Sequence, residues 1–155
     1  MPLTRLIYCS QCTDRSEGAL GDILRVAQAR NGEDGITGAL IVGDGRFLQI
    51  LEGRRAPLNR CLGRISRDPR HRDLQVVAAG ETRHRLFPSW GMRAIDTSVA
   101  LRFMVTRHSA NRRFQPEQMS QLLIEDLFRR LAVELCELPA PWTEPQPRAP
   151  GTVSG

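Results

Sequence analysis

Lysine is absent from this chain of 155 residues: all 22 basic residues are arginine. Such a bias reflects genome composition more than chemistry. The arginines are scattered from Arg5 to Arg148 without a long block. A net charge of +5 would by itself admit nucleic-acid binding. What is missing is a basic cluster with interleaved aromatics, since aromatics make up only 5% of the residues. Nucleic acid is therefore not an expected partner. No apolar run approaches the roughly 20 residues that a membrane span needs, so a membrane partner is not expected either. The N-terminus lacks the charged-then-apolar pattern of a signal peptide, and the expectation is a cytoplasmic protein.

Cysteine is sparse, at positions 9, 12, 61 and 136. Cys9-Ser10-Gln11-Cys12 is formally a C-x-x-C, but a zinc site would want a second pair or a nearby His at the usual spacing. No metal site is expected. The C-x-x-C follows a predicted strand, as a redox motif would, yet four reduced thiols in a reducing compartment is the simpler reading. Paired carboxylates, a Ser-His-Asp set and a phosphate-binding Gly loop are also missing, so an enzyme is not expected.

What is present is organised around residues 35–53, GITGALIVGDGRFLQILEG. Two apolar runs flank Gly43-Asp44-Gly45, whose residues tolerate positive φ, and the stretch reads as a β-hairpin. Phe47, Gln49 and Leu51 share one strand face; Leu48 and Ile50 take the other. Both faces are apolar, which predicts a central hairpin covered above and below. Gln49 is the anomaly. Its amide needs partners when buried, from the protein or from a ligand.

Around the hairpin, residues 3–9 read as a strand with Leu6 and Tyr8 on one face and Arg5 and Ile7 on the other. A helix follows, with Leu20, Ile23, Leu24 and Ala27 at helical spacing and Asn31-Gly32 as its expected end. A second helix opens at Ala56-Pro57 with a stripe of Leu58, Cys61, Leu62 and Ile65, and 68–71 breaks it. Residues 74–79 predict a short strand and 91–95 a last one. The order β-α-β-β-α-β, plus one strand, predicts an α+β, ferredoxin-like sheet with two helices on one face. Thr97 or Ser98 is the expected cap of a short helix to about Thr106. A longer helix is expected from Pro116, with Met119, Leu123, Leu127, Leu131 and Leu135 on one side and Leu122 and Phe128 widening the stripe. These two C-terminal helices should pack on the other sheet face, over Ile7, Leu48 and Ile50. A Pro-rich tail, 138–155, is expected to be disordered.

On the face toward the first two helices, Tyr8, Gln49 and Asn31 would converge between Ile23 and Ile65. That is how a flat, polar-edged ring is held; the alternative is that Tyr8 and Gln49 satisfy each other in a core. An RNA-binding module shares the fold order, but it would want aromatics on the exposed sheet face. A small redox protein using Cys9 and Cys12 is the other alternative.

The motifs resemble those of the BLUF domains, blue-light sensors using FAD. The resemblance is carried by Tyr8 in the first strand, Asn31 near the end of the first helix and Gly35-Ile36-Thr37-Gly38. It continues with Phe47-Leu48-Gln49, Leu51-Glu52-Gly53, Asp68-Pro69-Arg70-His71 and Trp90-Gly91-Met92. It covers roughly residues 3 to 95, with Gly32 where many members have a second Asn. It implies a FAD-binding domain over 1–96, a helical extension over 97–137 and the tail over 138–155. It implies non-covalent FAD, with Tyr8 as electron and proton donor and Gln49 bridging Tyr8 to the ring edge. Asn31 would hold the pyrimidine edge, Ile23 and Ile65 would sandwich the ring, and Phe47, Arg64, Asp68, Arg70 and His71 are further implied contacts. For Arg64 and Arg70 a solvated helix end is the alternative. Trp90 and Met92, two apart, should share a strand face, one of them near Gln49 as signal relay. With no effector domain in the chain, the expected receiver is a downstream protein, reached through the C-terminal helices or a homo-oligomer, dimer or larger.

Overall fold

The computed structural model describes residues 2–104 and 113–135. Five strands form one sheet in the order β4-β1-β3-β2-β5. β1 spans Leu3–Cys12, β2 Thr37–Gly43, β3 Arg46–Arg54, β4 His71–Thr82 and β5 Arg93–Asp96. The β2–β5 pair is parallel and the other pairs are antiparallel. Helix α1 spans Glu17–Asp34 and α2 Arg55–Arg67, each following a strand; α3 spans Thr97–Phe103 and α4 Gln121–Leu135. This is the expected α+β, ferredoxin-like arrangement.

The hairpin is central, because β3 lies between β1 and β2. Its tip uses the special residues as expected: Asp44 has φ 51° and Gly45 φ 70°. Strand alternation sorts the core into two layers. Leu6, Tyr8, Phe47, Leu51, Leu58 and Cys61 pack on the α1/α2 side. Ile7, Leu48 and Ile50 pack on the other side against Ala100, Ile124, Leu127, Phe128 and Leu131. The C-terminal helices therefore do cover the second face.

Several boundaries differ from the sequence expectation. Helix α1 runs past Asn31-Gly32 to Asp34, and Gly35, at φ 66°, is its left-handed cap, donating its N–H to the Asn31 carbonyl. Gly35 is the better stop because Gly32 is compatible with helix, at only a modest entropic cost. β4 is twice as long as expected, since pairing with β1 carries its polar ends along. The last strand begins two residues late, at Arg93. Asp96, rather than Thr97 or Ser98, caps α3, accepting from the Ser98 N–H. Pro116 starts a 3-10 turn over Pro116–Gln118, and α4 begins only at Gln121. Leu122 and Leu123, expected on the apolar stripe, are 75% and 50% exposed. The later start leaves them on the first turn, while Ile124, Leu127, Phe128, Leu131 and Ala132 face the sheet. The expected helix end at Thr106, Cys136 and the tail over 138–155 lie outside the described residues. Among the described residues no helix is long and apolar enough to cross a membrane.

Candidate functional site

Between α1, α2 and the sheet lies a cavity of about 400 Å³. Ile23 of α1 and Ile65 of α2 line it, with Tyr8 and Gln49 rising from the sheet and Asn31 from the last turns of α1. Arg64, Asp68, Arg70 and His71 line it as well. Val26, Ala27, Arg30, Leu40, Cys61 and Arg67 complete the lining, beyond the residues expected from the sequence. Helical and strand spacing from the named residues would have found most of them, since Ala27 follows Ile23 by four and Cys61 precedes Ile65 by four. Phe47 does not line the cavity. It stacks behind His71, ring centroids 4.6 Å apart.

Tyr8 and Gln49 stand directly opposite in the β1–β3 register. The Tyr8 hydroxyl donates to Gln49 Oε1, and Gln49 Nε2 donates to Met92 Sδ at 3.1 Å. Tyr8 is wholly buried and Gln49 is 5% exposed. Burial, with Cys61 and Asp68 as lesser contributors, holds the Tyr8 pKa well above the ordinary 10.0. The phenol is therefore neutral. Gln49 has two amide hydrogens and two acceptor sites, and its one donated bond ends on a weak acceptor, a thioether.

Trp90 and Met92 do not share a face. Met92 is 3% exposed and packs with the cavity-side layer; Trp90 packs against the opposite layer. Residues 83–92 are irregular, so period-two alternation does not apply to them. Trp90 lies against Phe87 at 5.3 Å, with the Arg93 guanidinium 4.6 Å from its ring centroid. The segment is fastened to the cavity walls: Asn31 Nδ2 donates to the Gly91 carbonyl at 3.0 Å, Gln28 Nε2 to the Met92 carbonyl at 2.9 Å, and Gly38 N–H to the Trp90 carbonyl at 2.9 Å. Gln28 had no sequence signal, because its partner is 64 residues away.

The α2 end of the cavity is ionic. Arg70 forks onto Asp68, at 2.7 Å from Nη2, and reaches Asp22 at 3.1 Å. Those bonds hold the Asp68 carboxyl below its ordinary value. Arg64 meets Asp34 at 3.4 Å. Arg30 and Arg67 make no ion pair among the described residues. His71 Nδ1 lies 2.8 Å from the Ser10 hydroxyl, and burial pushes its pKa below 6.5. Cys9, Cys12 and Cys61 are free thiols, and burial raises all three, which is the opposite of a reactive thiolate pair. No His/Cys/Asp/Glu group among the described residues could hold a metal. Gly32 is exposed and outside the cavity wall.

These residues fit a flavin. The volume lies in the range of about 300–1,000 Å³ usual for small-molecule sites. Asn31, 2% exposed, spends its nitrogen on Gly91, while its Oδ1 has no hydrogen bond among the described residues. An apolar slot with an open acceptor, an amide of spare capacity and unpaired arginines suits a polar-edged ring carrying an anionic tail.

The family model for BLUF, sensors of blue-light using FAD, matches residues 3–93. The photoactivated adenylate cyclase subunit beta of Euglena gracilis is 40% identical over 88 residues, covering 56% of this chain and 10% of that protein. The chain thus spans about a tenth of the length of the curated relatives it matches. Among solved structures, the photo-activated state of BlsA superposes with a TM-score of 0.75 at 26% identity, covering 84% of this chain and 95% of that one. The dark state of BlrB, a BLUF protein, gives 0.70 at 27% identity, covering 86% and 98%.

Proposed function

This chain belongs to the BLUF family, sensors of blue light using FAD, and on that premise we propose that Tyr8, Gln49 and Met92 form its switch. The chain is a blue-light sensor and FAD is its cofactor. Bound FAD supplies the absorption of blue light and, once excited, an oxidant. Ile23 and Ile65 would hold the ring faces, Asn31 and Gln49 its polar rim, and Arg30, Arg64 and Arg67 the anionic tail. Asp68 and Arg70, bonded to each other, brace the end of α2 at the mouth.

The carrying observation is the chain of contacts from Tyr8 through Gln49 to Met92. A neutral phenol is readily oxidised only if its proton leaves too, and Gln49 Oε1 already accepts that proton's hydrogen bond. On giving an electron to the excited cofactor, Tyr8 would pass its proton to Gln49 Oε1, and Gln49 would release a proton from Nε2 toward the ring, so that the amide stays neutral. An amide that then turns, or changes tautomer, exchanges its donor and acceptor ends. It would no longer donate to Met92 Sδ and would present a donor to the rim of the ring. The sulfur bond is weak and yields easily. Released Met92 shifts the 90–92 segment, and β5 carries the change into α3 and α4. The matched relatives are named as cyclases; for this chain we propose a downstream protein, or a homo-oligomer, that reads the α3/α4 surface.

Blue light should produce a small, dark-reversible red shift of the flavin band. Hydrogen exchange, dark and lit, should change in residues 90–104 and 121–135. In Met92→Ala the exchange response should weaken while the flavin shift persists, because the coupling is on the order of 1–3 kcal/mol. Identical exchange in dark and light would refute the relay.

A further inference from the structure

The connection between β4 and β5 carries Trp90 and Met92, and its first part is held by a buried acid that the switch does not use. Glu52 of β3 is 0% exposed. Its carboxylate accepts from Arg5 Nε at 3.0 Å, from the Leu86 N–H at 2.8 and 3.0 Å, and from the Phe87 N–H at 3.0 Å. Arg5 stands opposite Glu52 in the β1–β3 register and also donates to the His84 carbonyl at 3.0 Å. Arg85 donates to Thr37 Oγ1 at 2.8 Å and to the carbonyls of Glu52 and Gly35 at 2.9 Å. Four consecutive residues, 84–87, are thus fastened to β1, β2 and β3. Neither Glu52, Arg5 nor Arg85 lines the cavity.

Burying an ion pair is weak evidence of stabilisation, since desolvation offsets most of the attraction. What this pair secures is position. Phe87, the last clasped residue, sets its ring against Trp90, centroids 5.3 Å apart, and against Phe128 of α4, centroids 6.2 Å apart. At the far end Met92 rests on Gln49. The segment therefore runs from the cavity side of the sheet to the α4 side, with one end immobilised. A free segment would absorb a shift at Met92 as loop motion. A clasped one must deliver it to Trp90 and the Phe87–Phe128 contact.

We propose that Glu52, with Arg5, is a positioning residue for the light response: it anchors 84–87 so that displacement of Met92 reaches α4. This inference rests on the Met92 relay proposed above.

The test uses the full chain with FAD bound, comparing wild type, Glu52→Gln and the milder Arg85→Ala. Glu52→Gln keeps shape but removes the charge and turns an NH2 donor either toward the Arg5 guanidinium or toward the Leu86 and Phe87 N–H groups. Expected are retained FAD, a flavin red shift of wild-type size, and Leu86 and Phe87 amides that exchange about tenfold faster, as loss of a charge-assisted bond implies. The lit-minus-dark exchange difference over 121–135 should fall to less than half. Arg85→Ala should move the same way and carries the test should Glu52→Gln fail to fold. A full light response in α4 in the folded variants, with wild type responding, overturns this inference alone. A wild type without that response overturns the relay and this inference with it. Loss of FAD or of the red shift in both variants overturns it in favour of a role in building the cavity.

Discussion

The Tyr8–Gln49 hydrogen bond can be tested by a double-mutant cycle. Tyr8 is 0% exposed and Gln49 5%, so neither group can turn to water when its partner is removed. Tyr8→Phe deletes the hydroxyl and strands Gln49 Oε1. Gln49→Leu deletes the acceptor and strands the phenol, and also gives up the contact to Met92 Sδ. Each single change should cost about 1–3 kcal/mol, the penalty of an unsatisfied buried polar group. In a domain of this size each kcal/mol lowers Tm by about 2–4 °C. The double variant replaces both partners with apolar groups of similar shape, a change that can be nearly neutral. Its cost should therefore fall short of the sum of the singles by about 1–3 kcal/mol. The assay is urea unfolding in the dark at a fixed excess of FAD, corrected for the FAD affinity of each variant. Both single variants should bind FAD and lack the red-shifted state, for want of a proton donor or of a reorientable amide. Additivity within about 0.5 kcal/mol would mean that the two groups are not coupled, and a normal reversible red shift in Gln49→Leu would refute the switch.

Two glycines of the first half should respond in opposite directions. A Cβ on Gly38 would collide with the Ile50 carbonyl oxygen and lie 3.3 Å from Met92 Cε; Gly38→Ala should cost the upper part of the about 1–3 kcal/mol range for overpacking. A Cβ on Gly32 meets nothing within 4 Å and the residue is helical, so Gly32→Ala should stabilise by about 0.5–1 kcal/mol; urea midpoints decide both. His71 sets a pH dependence. Its folded pKa lies below the unfolded 6.5 because of burial, so the unfolded chain binds the extra proton first. The contribution is complete above pH 6.5 and is lost as pH falls through the folded value. Unfolding free energy measured from pH 7.5 to 5 should decline on that side, and His71→Gln should flatten the decline.

Element order, strand faces and the central hairpin were legible in the sequence, because each depends on spacing within a few residues. Alternation put Tyr8 and Gln49 on one face, Gly43-Asp44-Gly45 marked the hairpin, and its two apolar faces marked it as central. Helical spacing likewise brought Ile23 and Ile65 inward. Glu52 was legible in principle: an acid within a mostly apolar central strand must be paired, and Arg5 in β1 is its neighbour across the strand pair.

What tertiary structure alone decided is what pairs distant residues without a period to reveal them. Trp90 and Met92 part to opposite layers because residues 83–92 are shaped by their anchors rather than by a strand. Asn31 and Gln28 find the carbonyls of Gly91 and Met92 some 60 and 64 residues on. The start of α4 at Gln121 leaves Leu122 and Leu123 in water. Spacing tells which side a residue takes within its own element; which partner waits there depends on how the elements close around the sheet.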